Sequence, residues 1–390
     1  MLDSVRDSRA LGVLIVARII YALNWLNFGA IFYLMSSDVG AGVSGLGTVT
    51  AAFYLGIGLA QVPAGLLAAK YGPKKIVVIG VFLSSLCAIA TSAVSTITEL
   101  ALLRFFVGVG MAFFFAPGVV IVARLLRGGR SGMGVGLFNS AYDLGGLLGI
   151  FGWIVVATAF GWRPSLAFSG GLGVITGILV YAFVPGDEPS SEFRVDRRSL
   201  LAILGNKQIV LLGIATLGFA IGNTVISGFM VYYLKNDLSV QGTVAGLVTS
   251  LITVVPILTA LWGGRVYDTT SRHRMVFLVA MLGSAASLSL GAFHSLYAAA
   301  ACAALGGVVT GFGFTFAFAG ARDFNSSGAE YDSLAIAWVN SLQLTGSFLP
   351  PIFFSFVVEA QGYSQAWLWC AVLTLAFMVP AFLMVERWRR

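Results

Sequence analysis

The chain has 390 residues, 58% of them hydrophobic and 10% charged, with 23 Lys and Arg against 16 Asp and Glu for a net charge of +7. A soluble domain carries roughly 25% charged residues, so water cannot surround this chain, and apolar runs of about 20 residues, enough for a helix to cross a bilayer, recur along it. The runs are continuous, which excludes the alternating strands of a membrane barrel, and the basic excess sits in loops, which argues against nucleic acid as a partner.

The first predicted span, 11–35, carries Arg18, Tyr21, Asn24 and Asn27 and lacks a small-residue cleavage site, so it reads as a retained helix rather than a signal peptide. The second, 45–69, contains Gly65 and leads into the basic turn Lys70, Tyr71, Gly72, Pro73, Lys74, Lys75. Spans three and four, 76–95 and 99–123, bring Arg104; span five, 132–158, brings Asn139, Asp143 and the glycines 145, 146 and 149; span six is 163–184. The polar stretch 185–207 reads as a cytoplasmic linker with a short amphipathic helix at the membrane surface, dividing a bundle at 1–184 from one at 208–390. The second set is 208–234, 242–266, 275–293, 297–320, 332–358 and 365–386. It carries Asn223 and Thr224 in span seven, Gly264, Asp268, Arg272 and Arg274 around the end of span eight, and Asn340 and Gln343 in span eleven.

With the N-terminus inside, 19 of the 23 basic residues fall on the cytoplasmic side, Arg163 and Lys235 fall outside, and Arg18 and Arg104 stay within helices. The positive-inside rule therefore places both termini in the cytoplasm of a multi-pass cell-membrane protein. A shift of about 200 residues superposes the halves: Gly161-Trp162-Arg163 meets Gly362-Tyr363-Ser364, and Asn139-Ser140 with Gly145 meets Asn340-Ser341 with Gly346. Two six-helix bundles in parallel repeat make this an all-α membrane protein of twelve transmembrane helices.

The turn after span two and its counterpart after span eight resemble the signature of the major facilitator superfamily. The second copy keeps Gly264, Asp268, Arg272 and Arg274; the first keeps Gly65, Lys70, Gly72, Lys74 and Lys75 but has Ala69 at the acidic position. The resemblance implies a cytoplasmic gate at Gly65, Lys70, Gly72, Gly264, Asp268 and Arg272, weakened in the first half by Ala69. Within the superfamily, LRFFVGVGMAFFFAP (103–117), GLFNSAYDLGG (136–146) and GWRPSLAF (161–168) are similar to the anion:cation symporter branch. That branch uses arginines in spans one and four for an organic anion, and acids in the same spans for the proton. Here Ala17 and Met111 stand where those acids are expected.

Three ionisable residues lie at hydrocarbon depth, at a cost of roughly 2.5–3.5 kcal/mol each on insertion scales, and so are expected to face a cavity or a partner. They are Arg18, Arg104 and Asp143, and none has a charged counterpart in the other half: Asp143 aligns with Leu344, Arg104 falls near residues 303–305 and Arg18 near 217–219. A fold shared by both halves does not require them. Two guanidiniums and one carboxylate suit an anionic solute, and protonation of Asp143 would free an arginine and so couple a proton to it. The competing reading makes Arg104 a staple between helices and lets Arg18 reach the cytoplasmic surface.

Polar residues near mid-span, Tyr21, Asn24, Asn139, Asn223, Asn340 and Gln343, complete the expected substrate-binding set, although each could instead bond helix to helix. Phe113 to Phe115 and Trp367 to Trp369 read as lipid-facing bulk or interfacial belt rather than a substrate cage. No cofactor, metal site or disulfide framework is expected from Cys87, Cys302, Cys370, His273 and His294, and no enzyme motif is present. The expected partners are a small-molecule solute, protons and the lipid bilayer, with a monomer as the working unit. A proton-driven exporter of lipophilic compounds, and a transporter-like sensor without transport, are the competing functions.

Overall fold

The computed structural model describes residues 5–126, 131–186, 197–328, 331–386 and 388, and every regular element among them is helical. In chain order these are α1 (Val5–Met35), α2 (Val43–Tyr71), α3 (Pro73–Thr91), α4 (Ile97–Leu125), α5 (Ser131–Leu147), a π-helical turn at Leu148–Gly152, α6 (Trp153–Phe160) and α7 (Trp162–Phe183). There follow α8 (Arg197–Leu204), α9 (Lys207–Asn236), α10 (Gly242–Thr269), α11 (His273–Gly291), α12 (Leu296–Asp323), α13 (Asp332–Gly346), α14 (Leu349–Gln361), α15 (Tyr363–Ala376) and α16 (Met378–Phe382). Twelve segments among the described residues are long and apolar enough to span a membrane. Large apolar side chains such as Leu258, Leu261 and Trp262 stand exposed on them, as a lipid-facing surface requires. The chain forms two compact units, Met1–Ala41 with Ala52–Arg194, and Gly42–Ala51 with Val195–Arg390.

In the first unit, local signals set the helix ends that place the charged residues. Thr96 and Glu99 form a reciprocal capping box at the start of α4, with Thr96 Oγ1 accepting from the Glu99 N–H at 3.3 Å and Glu99 Oε2 from the Thr96 N–H at 3.2 Å. Arg163, from the GWRP turn, donates to the carbonyls of Ser92 and Val94 just beyond the end of α3. The fifth span divides into α5, the π turn and α6 where it meets α1. A Cβ on Gly149 would stand 2.8 Å from the Leu23 carbonyl oxygen, and one on Gly145 would overlap that of Ile19, so only glycine lets the two backbones close. This contact brings Tyr142 and Asp143 to the level of Arg18.

In the second unit the predicted surface helix exists as α8, but it is not free on the bilayer: Ile203 is buried in a core with Leu212, Tyr267 and Phe316. Residues 187–196 of the expected linker lie outside the described residues. The eleventh span divides after Gly346 and restarts as α14 with Pro350 and Pro351 at its first positions, where proline costs no hydrogen bond. The repeat is visible in the backbone, since Gly161 and Gly362 open the last span of each half with the same φ of 86°.

Span twelve is shorter than 365–386, because α16 stops at Phe382. The chain then folds back on its own unit: Arg274 donates to the carbonyls of Phe382 and Met384 and pairs with Glu386 at 2.8 Å. Trp388 stacks on His273, its N–H donating to Nδ1 at 3.4 Å while Nε2 donates to the Tyr267 carbonyl at 3.2 Å. Trp388 is 2% exposed. Removal of a fully buried tryptophan costs roughly 3–5 kcal/mol, so Trp388→Ala is expected to lower the unfolding temperature of the detergent-solubilised protein clearly, whereas Lys75→Ala, an exposed change in the first turn of α3, is expected to leave it near wild type.

Candidate functional site

Among the described residues, Arg18 and Arg104 are the only Lys, Arg, Asp or Glu side chains that are buried, at 6% and 5% exposure, and both belong to the first unit. They are held differently. The Arg18 guanidinium, on α1, sits inside four aromatic rings, with its carbon 4.5 Å from the ring centre of Tyr21, 4.6 Å from Phe115, 4.9 Å from Phe138 and 4.7 Å from Tyr142. Ring faces attract the cation by up to about 2 kcal/mol when desolvated, but they accept no conventional hydrogen bond from its edge. Nε and Nη1 are buried without a partner, at a penalty of roughly 1–3 kcal/mol per group.

Arg104, on α4, is anchored by protein. Nη1 donates to the Asn24 carbonyl at 3.1 Å and Nη2 to that of Trp25 at 3.3 Å, with the rings of Phe28 and Phe53 at 4.8 and 4.7 Å. A carbonyl has two lone pairs, so both acceptors can also serve the α1 ladder. The planar fork thus ties α4 to the middle of α1.

Asp143 is half-buried on α5, one turn beyond the exposed Asn139 and next to Tyr142. Among the described residues no ion pair joins it to Arg18. Tyr21 is buried against Phe114 at 5.1 Å and Trp25 at 5.7 Å. Asn24 turns its amide to the carbonyls of Ile20 and, across to α7, Ser169. Six residues of the predicted set therefore meet in one unit: Arg18, Tyr21, Asn24, Arg104, Asn139 and Asp143.

The other members lie in the second unit. Asn223 is half-buried on α9, and its carbonyl accepts from Ser227 Oγ at 2.6 Å; Asn340 is buried on α13, and Gln343 donates to Ser347 Oγ at 3.1 Å, where α13 ends. Of the expected gate, Gly65, Lys70, Asp268 and Arg272 are exposed, Gly264 is half-buried, and Gly72 caps α3 with a φ of 90°. Lys70 lies over the ring of its neighbour Tyr71 at 5.0 Å.

Three features escape the sequence reading. Phe115 belongs to the Arg18 cage and Phe114 is 1% exposed, so these two are not lipid-facing bulk; in the second unit Trp367 is fully buried against Phe354 at 5.0 Å, against the same expectation, while Leu368 and Trp369 are exposed as expected. Gln61, on α2, is 2% exposed with neither amide atom partnered. The half-exposed Trp25 contacts Phe53 at 4.9 Å and Tyr142 at 5.8 Å, extending the aromatic wall from Arg104 towards Arg18. The only signal for Gln61 in the sequence is an amide inside an apolar run beside Pro63.

The model of the Major Facilitator Superfamily matches residues 14–221 and again 212–390. The chain belongs to the Major Facilitator Superfamily. Among its relatives, an uncharacterized MFS-type transporter of Methanocaldococcus jannaschii is 22% identical over 365 residues, covering 92% of this chain and 93% of that one. The probable sulfoacetate transporter SauU of Cupriavidus necator is 26% identical over 193 residues, which is 50% of this chain and 45% of the relative. Among solved structures, the nucleoside transporter NupG superposes with a TM-score of 0.78 at 14% identity, covering 96% of this chain and 99% of that one. The protein is thus a multi-pass membrane transporter of small solutes with the major facilitator fold.

Proposed function

We propose that this superfamily member is a proton-coupled carrier of small anions working by alternating access, with both termini in the cytoplasm. The observation that supports it most is the Arg18 guanidinium, buried in a ring cage with two unpartnered nitrogens beside a half-buried carboxyl. A cation in that setting calls for an anion. Sulfoacetate, named for a relative that matches half of this chain, is an organic anion and fits the same reading.

Arg104 has both terminal nitrogens on α1 carbonyls. Its role is to hold α1 in place, which leaves Arg18 as the group that meets the solute. Asp143 then decides when Arg18 is available. Ionised, it compensates the Arg18 charge without a direct ion pair; protonated, it leaves a cation for the incoming anion. One proton accompanies one monoanion, the cycle is electroneutral, and uptake rises when the entry side is made more acidic than the other.

The test is counterflow and pH-gradient-driven uptake in proteoliposomes with monocarboxylates, sugar acids, sulfonates and inorganic anions. Uptake of an anion that depends on Arg18 supports the reading; uptake of only a cation or a lipophile contradicts it. For topology, a cysteine replacing Ser190 is expected to react with a membrane-impermeant maleimide only after inside-out vesicles are prepared. Labelling of intact cells would reverse the orientation.

A further inference from the structure

In the first unit, Asn27, Arg104 and Trp153 each bury one polar side-chain atom without a partner, whereas Gln61 and Arg18, both more than nine-tenths buried, each have two, Nε2 and Oε1 in one, Nε and Nη1 in the other. Their helices bring them to the same height. Trp25 of α1 packs on Phe53 and Tyr54 of α2 at 4.9 and 5.8 Å. Counting seven residues along each antiparallel helix from that contact reaches Arg18 on one and Gln61 on the other. Gln61 also follows Phe53 and Ile57 at successive i+4 steps, on the buried stripe of α2 that Gly108 of α4 approaches closely enough for a Cβ there to come within 2.8 Å of the Ile57 nitrogen. An amide with both ends unsatisfied is poor glue between helices, whereas in a binding site it is a donor waiting for a ligand oxygen.

The walls at this level are rings. Phe115 and Tyr142 flank Arg18 and are half-exposed, and the half-exposed Trp25 meets Tyr142 edge to face at 5.8 Å. A polyhydroxylated acid needs a hydrogen-bonding partner for each hydroxyl group, which such walls do not provide; a flat apolar ring finds there the offset and edge-on contacts that aromatic groups favour.

We propose that the solute subsite of the first unit takes an aryl monocarboxylate, its carboxylate shared between Arg18 and the Gln61 amide, and its ring laid against Trp25 and Tyr142. This rests on the reading of the protein as an anion carrier. One carboxylate answers the one guanidinium that α1 does not already engage, with Asp143 taking the accompanying proton.

The experiment is proteoliposome uptake with benzoate, gluconate and inorganic phosphate as probes, on wild type and on Gln61→Leu, together with calorimetric titration of benzoate into the detergent-solubilised protein. Wild type is expected to take up benzoate in preference to the other two. Gln61→Leu is expected to bind benzoate about tenfold more weakly, the effect of losing one hydrogen bond to a charged group, with its unfolding temperature unchanged or raised because an unsatisfied amide has gone. Arg18-dependent uptake of gluconate or phosphate without benzoate would overturn the aryl class and leave the anion carrier standing. Uptake of no anion of any kind would overturn both. Equal benzoate affinity in Gln61→Leu and wild type would remove Gln61 from the subsite.

Discussion

Replacing Arg18 with alanine is expected to lower anion uptake by about 30-fold to several thousandfold, because truncating one side of a desolvated, charged contact costs roughly 2–5 kcal/mol and each 1.4 kcal/mol is tenfold. The fold should survive. Two nitrogens of the Arg18 guanidinium, Nε and Nη1, have no partner, and the rings around it are packed without it, Tyr21 on Tyr142 at 6.3 Å and both Tyr21 and Phe138 on Phe114, at 5.1 and 5.8 Å. Arg18→Lys separates charge from shape: it keeps a cation but loses the planar group that lies flat among four rings and presents a fork to a carboxylate. Uptake near the alanine level in the lysine variant would show that the fork, not the charge alone, holds the solute. Uptake near wild type in both would remove Arg18 from the site.

Arg104→Leu should behave in the opposite way, as a failure of structure. Two hydrogen bonds from a charged donor contribute roughly 1.5–3 kcal/mol each in soluble proteins, but interhelical bonds in bilayers measure nearer 0.6–1.7 kcal/mol. Leucine provides neither the two bonds nor the cation that faces the two rings, so a destabilisation of about 2–4 kcal/mol is expected. Arg104→Lys should lie between, since an ammonium keeps the charge and its donors but lacks the planar fork that meets the Asn24 and Trp25 carbonyls together. Thermal unfolding in detergent, read beside the uptake of the protein that remains folded, separates the roles. A leucine variant as stable as wild type yet unable to bind anion would make Arg104 a solute ligand.

These two arginines mark the limit of sequence reasoning. Depth in an apolar run and absence from the other half single out both, because a charge in hydrocarbon is expensive wherever it points. Their separate roles depend on partners that are backbone carbonyls and ring faces, and a carbonyl has no letter in the sequence. The spans themselves are legible because lipid imposes one length and one polarity on each. The breaks within spans five and eleven are less so: many glycines and prolines sit in helices here, and only the neighbour at Gly149, or proline at the first turn of α14, selects the position. Trp388 is easily read past because it sits among the charged residues Glu386, Arg387 and Arg389 beyond the apolar run of span twelve, while its reason for turning back is His273, more than a hundred residues away. Gln61 is hidden for the converse reason. It is one polar letter in a run whose burial only the packed structure reveals.

In the proposed cycle Asp143 governs Arg18, and Asp143→Asn isolates that step. The asparagine mimics the protonated carboxyl and cannot cycle. Counterflow of the transported anion, which needs no net proton movement, should persist in proteoliposomes containing this variant, while accumulation driven by an inward pH gradient should vanish. Accumulation equal to wild type in Asp143→Asn would show that Asp143 does not carry the proton.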